Sequence, residues 1–197
     1  MKKDQTGHHF LARLGKTRLR PGGRFATEWL INQTRFAPDT QVLEVACNMG
    51  TTAVGLAQRF GCHITGVDLD ENALEKARQN IRAAGLESLV QVQHANATEL
   101  PFPDNSFDVV INEAMLTMLP LANKEMAVAE YFRVLKPGGV LLTHDVVVSE
   151  QNTEEAVERL RDTIQVKVTP LTESAWTDLF HRSGFRDITT ISGGMTL

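Results

Sequence analysis

The residues best suited to hold a ligand are concentrated where short apolar runs of the sequence end. In VLEVACNMGTTA, Val42 to Ala53, a β-branched run leads into a glycine-containing turn and then into a segment of helical period. A strand followed by such a turn and a helix offers backbone N–H groups and a helix N-terminus to a nucleotide or an anion. The stretch therefore predicts a ligand-binding turn. Its candidate residues are Glu44, Ala46, Cys47, Asn48 and Gly50.

Polar residues also end the next two apolar runs. Asp68 ends HITGVDL, where a carboxylate can accept from both hydroxyls of a ribose, and Leu69 can then lie against a purine. Asn96 ends VQVQHAN and offers an amide acceptor to an exocyclic amine, beside the backbone of Ala97. The set suits an adenosine-containing ligand. Asp70 is also typical of a helix cap, a role that is compatible with ligand binding by Asp68.

The fourth and fifth apolar runs end in groups that could move a proton. FDVVINEA supplies Glu113, which follows the amide of Asn112, and GVLLTHDVVV supplies His144 and Asp145. Adjacent strand residues point to opposite faces, so His144 and Asp145 cannot both enter one pocket. Glu113 is the preferred candidate for a general base, and His144 is the second. For each of them a purely structural role is an open alternative.

These candidates have to be positioned by alternating strands and helices. Strands are predicted at residues 41–47, 63–69, 90–96, 107–114 and 139–148, with a sixth at FRDITTISGG, residues 185–194. Helical spacing follows the first, second and fourth of these strands, and Gly61 and Gly85 are expected to end two of the helices. Thr51 or Thr52 is available to cap the helix after the first strand, and Pro137-Gly138-Gly139 is expected to end the helix before the fifth. A further helix is predicted to carry Val157, Leu160 and Ile164. The pattern predicts an α/β fold, a three-layer, doubly wound sandwich with a mainly parallel sheet. In such a sheet, ligands bind at the carboxyl ends of the strands.

Composition narrows the class of protein. The chain has 197 residues, a formal net charge of −4 and two cysteines, Cys47 and Cys62. Two cysteines are too few for a disulfide scaffold or a zinc cluster, so no metal is expected. The acidic balance argues against nucleic acid, and the absence of a long apolar run argues for a cytoplasmic protein without a membrane span. The basic residues of 11–24 form either a solvated helix face or a clamp for an anion.

Four segments in order resemble the motifs of one family. They are the Glu44-to-Gly50 turn, GVDLD (66–70), HANATELPFPDNSFDVV (94–110) and VLKPGGVLLTHD (134–145). Together they are similar to the class I S-adenosylmethionine-dependent methyltransferases, whose fold is Rossmann-like. The similarity is greatest to the small-molecule branch that includes the ubiquinone and menaquinone C-methyltransferases. The family turn is acid-x-Gly-x-Gly-x-Gly, and here only the third glycine remains, while Asn is the non-glycine residue that best tolerates positive φ.

The resemblance implies a role for each candidate. Glu44 would anchor the turn and the amino group of S-adenosylmethionine, Asp68 would hold the ribose, and Leu69 would pack on the adenine. Asn96, where the family usually has Asp, would read the adenine edge with Ala97. The other cofactor residues expected are Ala46, Cys47, Asn48, Gly50 and Asn112, with S-adenosylhomocysteine as the product. Cys47 is expected to be a buried, inert residue of the turn.

The implied reaction is an in-line methyl transfer to a small-molecule acceptor, driven mainly by positioning. Residues 1–40 would form a helical lid, whose Arg18, Arg20 and Arg24 suit an anionic acceptor, and residues 41–197 would form the cofactor domain. Two alternatives stay open: a protein that senses or stores S-adenosylmethionine, and an RNA or protein methyltransferase. We expect the last strand of the family sheet to be missing. The exposed edge that this leaves predicts a homodimer.

Overall fold

The computed structural model describes residues 23–150, 157–158 and 168–193. From residue 41 to residue 144 strands alternate with helices, except at residues 95–106, where a loop without a helix joins two strands. The strands are β1 (Gln41–Val45), β2 (His63–Asp68), β3 (Val90–His94), β4 (Phe107–Glu113) and β5 (Leu135–His144). The helices are α1 (Gly23–Ile31), α2 (Thr51–Phe60), α3 (Glu71–Ala84), α4 (Leu121–Val134) and α5 (Glu173–Arg182), with a 3₁₀ turn at Leu116–Met118. No described helix is both long and apolar enough to cross a bilayer.

The five strands form one parallel sheet in the order β3-β2-β1-β4-β5. The chain leaves β1 toward β2 and β3, and it then returns to the other side of β1 as β4. The strand order therefore reverses beside β1, and all five carboxyl ends meet at one edge of the sheet. This confirms the predicted α/β class, and it places the switch point between β1 and β4, where such sheets bind ligands.

Alternate residues of the strands enter two separate cores. Val42 of β1 packs with residues of α1, α2 and α3, whereas Leu43 packs with residues of α4 and α5. On β4, Val109 and Ile111 face the first core and Val110 faces the second. Because successive strand side chains point to opposite faces, near-continuous apolar strands require helices on both sides. The sandwich therefore has three layers.

Helix ends follow the local sequence, with one correction. Gly61 and Gly85 end α2 and α3 in the left-handed conformation, and Asp70 caps α3 by accepting from the backbone N–H of Asn72, as predicted. Thr51 and Thr52 were expected to cap α2, which is wrong. The cap position is occupied by Gly50 at φ 69°, without a side-chain bond, because the turn approaches the helix in a left-handed path.

Two predicted elements differ near the C-terminal half. The helix α4 ends at Val134 rather than at the Pro137-Gly138-Gly139 stop, because Leu135 already pairs with Phe107 and starts β5. No sixth strand forms among the described residues after α5. There, Asp187 has a left-handed φ of 53°, and the hydroxyls of Thr190 and Ser192 donate to Glu173 on α5. These side-chain bonds tie the segment to a helix instead of a sheet.

Some expectations fall wholly or partly outside the described residues. They concern Arg18 and Arg20 of the basic segment and most of the helix predicted around residues 157–164, of which 157–158 are helical. The lid and the cofactor-domain boundary at residue 40 therefore stay predictions. Among the described strands β5 is an outer strand, so the predicted homodimer edge also stays a prediction.

Candidate functional site

A cavity of about 210 Å³ opens at the carboxyl ends of β1, β2 and β4. It lies at the switch point, where the fold predicts a ligand. Three carboxylates line it, those of Glu44, Asp68 and Glu113, and none of the described residues that line it is Lys, Arg or His. Its walls thus favour a ligand that carries positive charge. The lining residues are Glu44, Val45, Ala46, Cys47, Asn48, Met49, Thr51, Thr52, Asp68, Glu113, Ala114, Met115 and Met118.

The turn after β1 is fixed against β2 by a close backbone approach. The N–H of Cys47 donates to the carbonyl of Val67 over 3.0 Å, and the Cys47 side chain lies over Gly66. A Cβ at Gly66 would come within 2.9 Å of the Cys47 sulfur, a contact that real structures do not tolerate. Gly66 is therefore needed for the turn to lie where it does. The sequence reading did not assign it this role.

The turn itself follows a left-handed path. Ala46, Asn48 and Gly50 have φ values of 57°, 48° and 69°. These are the positions where the family motif has glycine, so the backbone conformation persists although two of the three residues carry a Cβ. Asn tolerates this region well, whereas in Ala this conformation has a steric cost of about 1–2 kcal/mol. The turn keeps its left-handed path at a local cost in stability.

Asp68 holds this turn and the start of α3 together. Its Oδ2 accepts from the N–H of Asn48 over 2.8 Å, and its Oδ1 accepts from the N–H of Asp70 over 2.9 Å. Because each carboxylate oxygen has two lone pairs, both retain acceptor capacity toward the cavity. Asp70 caps α3 at the same time. The geometry is thus compatible with both predicted roles of this segment.

The predicted adenine-binding residues lie beside the cavity rather than in it. Leu69 follows β2 with its side chain 60% exposed, which is unusual for a leucine at the edge of a core. Asn96 is exposed beyond β3, and its side-chain oxygen accepts from the N–H of Thr98. Ala97 packs partly on the core. Leu69 follows the carboxyl end of β2, which Asp68 ends, and Asn96 and Ala97 follow the carboxyl end of β3.

Glu113 ends β4 inside the cavity and is bonded by a helix that the sequence reading did not connect to it. The Thr27 hydroxyl on α1 donates to Glu113 Oε2 over 2.9 Å. His144 stands one strand further out, in register with Glu113, and does not line the cavity. The sheet pairing thus places the two candidates for proton transfer side by side on neighbouring strands. Only Glu113 lies at the cavity wall.

Asn112 and Cys47 are both buried beside the cavity. Asn112 is 0% exposed, and its amide nitrogen donates to the Val45 carbonyl over 3.2 Å. Its carbonyl oxygen is buried, and no residue that the structure describes donates to it. Burial, reinforced by Glu44 and Asp68, raises the pKa of the Cys47 thiol well above its usual range. The thiol therefore stays protonated, in agreement with the expected inert role.

Several wall residues were read differently from the sequence. Met115 and Met118 line the cavity, while Leu116 between them is fully buried, so apolar residues after β4 divide between wall and core. Thr51 and Thr52 line the cavity at the start of α2 instead of capping it. Periodicity could not separate these roles, because a 3₁₀ turn and a left-handed cap have no apolar repeat.

A second cavity of about 490 Å³ lies along α1 and α2, and it shares Thr52 with the first. Its charged residues are Arg24, Glu28 and Arg59. Glu28 pairs with Arg59 over 2.9 Å and with Arg24 over 3.7 Å, so one carboxylate offsets part of the positive charge. Of the basic segment, Arg24 is the residue that the structure describes. Its pairing neither requires nor excludes an anionic ligand.

The fold and the cavity at the carboxyl ends of β1, β2 and β4 define an α/β protein with a candidate ligand site at its switch point, and comparison with known proteins narrows the class. A family model described as "Methyltransferase domain" matches residues 42–139, from β1 into β5. Demethylmenaquinone methyltransferase of Listeria welshimeri is 40% identical over 113 residues, which are 56% of this chain and 47% of that enzyme. The chain belongs to the class I S-adenosylmethionine-dependent methyltransferases. The chain is therefore a transferase, and the family predicted from its sequence motifs is confirmed.

Two further relatives delimit what the comparison shows. An uncharacterized protein of Haemophilus influenzae is 63% identical over 197 residues, 100% of this chain and 78% of that protein. The crystal structure of a putative methyltransferase from Bacillus halodurans has a TM-score of 0.70 and 28% identity, covering 81% of this chain and 68% of that chain. The chain spans less than half the length of the demethylmenaquinone methyltransferase that it matches. The family supports S-adenosylmethionine as the methyl donor.

Proposed function

We propose that this chain transfers the methyl group of S-adenosylmethionine to a small-molecule acceptor bound beside Glu113. The observation that carries the proposal is the acidic cavity at the switch point, in which Glu44, Asp68 and Glu113 line the ends of three adjacent strands. S-adenosylmethionine carries a sulfonium and an ammonium group, so carboxylates without a neighbouring lysine or arginine favour its binding. When bound, it supplies an electrophilic methyl group.

Different described residues suit different parts of this ligand. Asp68 retains acceptor capacity for ribose hydroxyls, and the exposed Leu69 offers an apolar face next to it. The start of α2, with Thr51 and Thr52 at the cavity, suits a carboxylate through the helix dipole. Asn96 and Ala97 are proposed to read the adenine edge, beyond the cavity itself.

Asn112 provides an independent sign of a missing donor. Its buried carbonyl oxygen has no donor among the described residues, and Val45 and Glu113, its strand partner and its neighbour in the chain, both line the cavity. A buried acceptor without a partner costs about 1–3 kcal/mol. An amino group of the ligand near this position would remove that cost, which supports Asn112 as a cofactor-binding residue.

Glu113 is the residue proposed to act on the acceptor. It can orient an acceptor through a hydrogen bond, and it can accept the proton that a hydroxyl or amine loses when it is methylated. The Thr27 hydroxyl holds the carboxylate at the cavity wall. Most of the rate enhancement is expected from holding the acceptor at roughly 3–3.5 Å from the methyl carbon. The acidic walls favour a neutral or cationic acceptor near Glu113, and the expected anionic acceptor depends on Arg18 and Arg20.

Isothermal titration with S-adenosylmethionine and S-adenosylhomocysteine tests the proposal. We expect micromolar binding to the wild type and a loss of about 100-fold or more in Asp68→Ala, which removes charge-assisted bonds worth about 1.5–3 kcal/mol each. Asp70→Ala is the matched control, because it removes a helix cap two residues away without touching the cavity. If neither ligand binds the wild type, the proposal fails. If both bind but a broad acceptor screen shows no turnover, the sensor alternative is favoured.

A further inference from the structure

Asp145, the first residue after β5, accepts hydrogen bonds from the 3₁₀ turn Leu116–Met118. Its Oδ1 accepts from the backbone N–H of Thr117 over 2.8 Å, and its Oδ2 accepts from the N–H of Leu116 over 3.2 Å. The Thr117 hydroxyl also donates to Oδ1, and the same hydroxyl accepts from the N–H of Val146 over 3.2 Å. One carboxylate thus ties the 3₁₀ turn Leu116–Met118 to the end of β5.

The turn carries one wall of the cavity. Met115 and Met118 line the cavity, whereas Leu116 and Thr117 between them are buried as the anchor. The carbonyl of Thr117 also accepts from the N–H of Thr169 over 2.8 Å. A 3₁₀ turn has few internal bonds and poor hydrogen-bond geometry. Its position therefore depends on the bonds from outside it.

The surroundings of Asp145 are buried and charged. Lys124 on α4 is 0% exposed, its ammonium group donates to the Leu119 carbonyl, and its charge attracts the Asp145 carboxylate. Burial and the charge of the Asp145 carboxylate raise the pKa of the Tyr131 phenol on α4. His144 precedes Asp145 at the end of β5, and Glu113 is the strand partner of His144. Burial raises the pKa of Asp145 to about 6, although its bonds from Thr117 and Leu116 oppose this rise.

We propose that Asp145 is a positioning residue that sets the Met115–Met118 wall of the cofactor cavity. The inference rests on the proposed function for its consequence in ligand binding. Asp145 was a candidate general base in the sequence, but its oxygens are engaged by the turn and it does not line the cavity. It acts on the ligand through the methionine wall, without touching the ligand. Thr117 is the second member of this clamp.

Titration with S-adenosylhomocysteine at 15 °C and pH 7.5 tests the ligand arm. We expect Asp145→Asn to weaken binding about tenfold, equal to about 1.4 kcal/mol, because an amide nitrogen then faces a backbone donor. Thr117→Val should weaken binding less, and Thr117→Ser should restore wild-type affinity. Asp108→Asn is the matched control. Its carboxylate also accepts from a backbone N–H and a lysine, Gln41 and Lys136, but at the opposite edge of the sheet.

The pH profile separates positioning from a general loss of stability. Wild-type affinity should fall as the pH drops through about 6, where Asp145 takes up a proton and accepts more weakly, and Asp145→Asn should lack this step. Asp108→Asn should keep the step. If Asp145→Asn binds with wild-type affinity while folded, or keeps the wild-type step, the inference is overturned. If it does not fold, Thr117→Val with wild-type affinity overturns it equally.

A ligand-free measurement keeps this inference distinct from the proposed function. In spectra of methyl-¹³C methionine, Asp145→Asn and Thr117→Val should shift the signals of Met115 and Met118. Met126, which is exposed on α4, should stay unchanged as the internal reference. Unmoved Met115 and Met118 signals would contradict the clamp. If these signals move but the wild type binds no S-adenosylhomocysteine, the clamp stands and the proposed function fails.

Discussion

Thr27 on α1 and Glu113 at the end of β4 are joined by a hydrogen bond of 2.9 Å, although 86 residues separate them in the chain. Thr27 is buried, and its helix packs Leu30 and Ile31 into the core on the α2 side of the sheet. The bond therefore attaches an element that precedes the sheet to the carboxylate proposed to contact the acceptor. The helix α1, which precedes the family motifs in the chain, thus contributes to the geometry of the cavity.

Replacing this hydroxyl should expose its contribution. We expect Thr27→Val to lower the free energy of unfolding by about 1–2 kcal/mol, because a half-buried carboxylate loses a donor. Thr27→Ser should stay close to the wild type. Thr177→Val on α5 is the control, since its hydroxyl donates only to a carbonyl of its own helix. Urea unfolding measures the difference, and equal losses in Thr27→Val and Thr177→Val would refute the prediction.

Ala46→Gly should stabilise the protein. Ala46 has a φ of 57°, and relief of this conformation gains about 1–2 kcal/mol, of which the flexibility of glycine in the unfolded chain cancels about 0.5–1 kcal/mol. The expected net gain is about 0.5–1 kcal/mol. Asn48→Gly should change little, because Asn tolerates this region. Thermal unfolding measures both, with Ala53→Gly inside α2 as a control that must destabilise. A loss of stability in Ala46→Gly would contradict the strain assigned to the turn.

Arg133→Lys should destabilise the loop before β4 without affecting the ligand site. The guanidinium donates to the carbonyls of Leu100 and Phe102 and to the carboxylates of Asp104 and Glu130. It also holds the pKa of Glu130 below its usual range. A lysine cannot reproduce this planar set of donors. We expect a loss of about 2 kcal/mol by urea unfolding and unchanged affinity for S-adenosylhomocysteine.

Arg82→Lys is the control for this substitution. Arg82 makes an exposed pair with Glu75 at 3.5 Å, and such pairs contribute little. We expect a change below about 0.5 kcal/mol. If Arg133→Lys were as mild as Arg82→Lys, the loop would have to be held by its apolar contacts alone.

The buried pair on α4 and β5 predicts how stability depends on pH. Burial lowers the pKa of Lys124 to about 8, so the folded protein binds fewer protons than the unfolded chain above that value. Stability should rise with pH from about 8 to about 10, with a slope of at most about 1.4 kcal/mol per pH unit. Burial raises the pKa of Asp145 to about 6, so the folded protein binds this proton more tightly than the unfolded chain does. The stability that this proton contributes is therefore present at low pH and is lost as the pH rises through about 6.

Lys124→Met tests the assignment of the alkaline limb. Methionine fills a similar volume without a charge, so the rise in stability above pH 8 should disappear while the acidic limb remains. Denaturant midpoints at pH values from 5 to 9.5 measure both limbs. Retention of the alkaline rise in Lys124→Met would assign it to another group. Above pH 10 the raised pKa of the buried Tyr131 works in the opposite direction.

The class of fold, the family and the strand ends that carry the candidate ligand-binding residues follow from local features of the sequence. Apolar strands, alternating with helical spacing, require a parallel sheet covered on both faces, and this pattern is local. Several features could be predicted because each depends on a few neighbouring residues. They are the turn after β1, the strand end at Asp68, and the helix caps at Asp70, Gly61 and Gly85. The motifs at residues 94–110 and 134–145 identified the family for the same reason.

Which side chains from distant segments contact each other depends on the tertiary structure. The contact of Thr27 with Glu113, the bonds from Asp145 to the 3₁₀ turn and the approach of Cys47 to Gly66 join segments 19 to 86 residues apart. No periodicity records such contacts, because they depend on how the helices pack across the sheet. The absence of a strand among the described residues after α5 has the same origin. There, hydroxyl bonds to Glu173 outweigh a weak β pattern, and that competition is settled by packing.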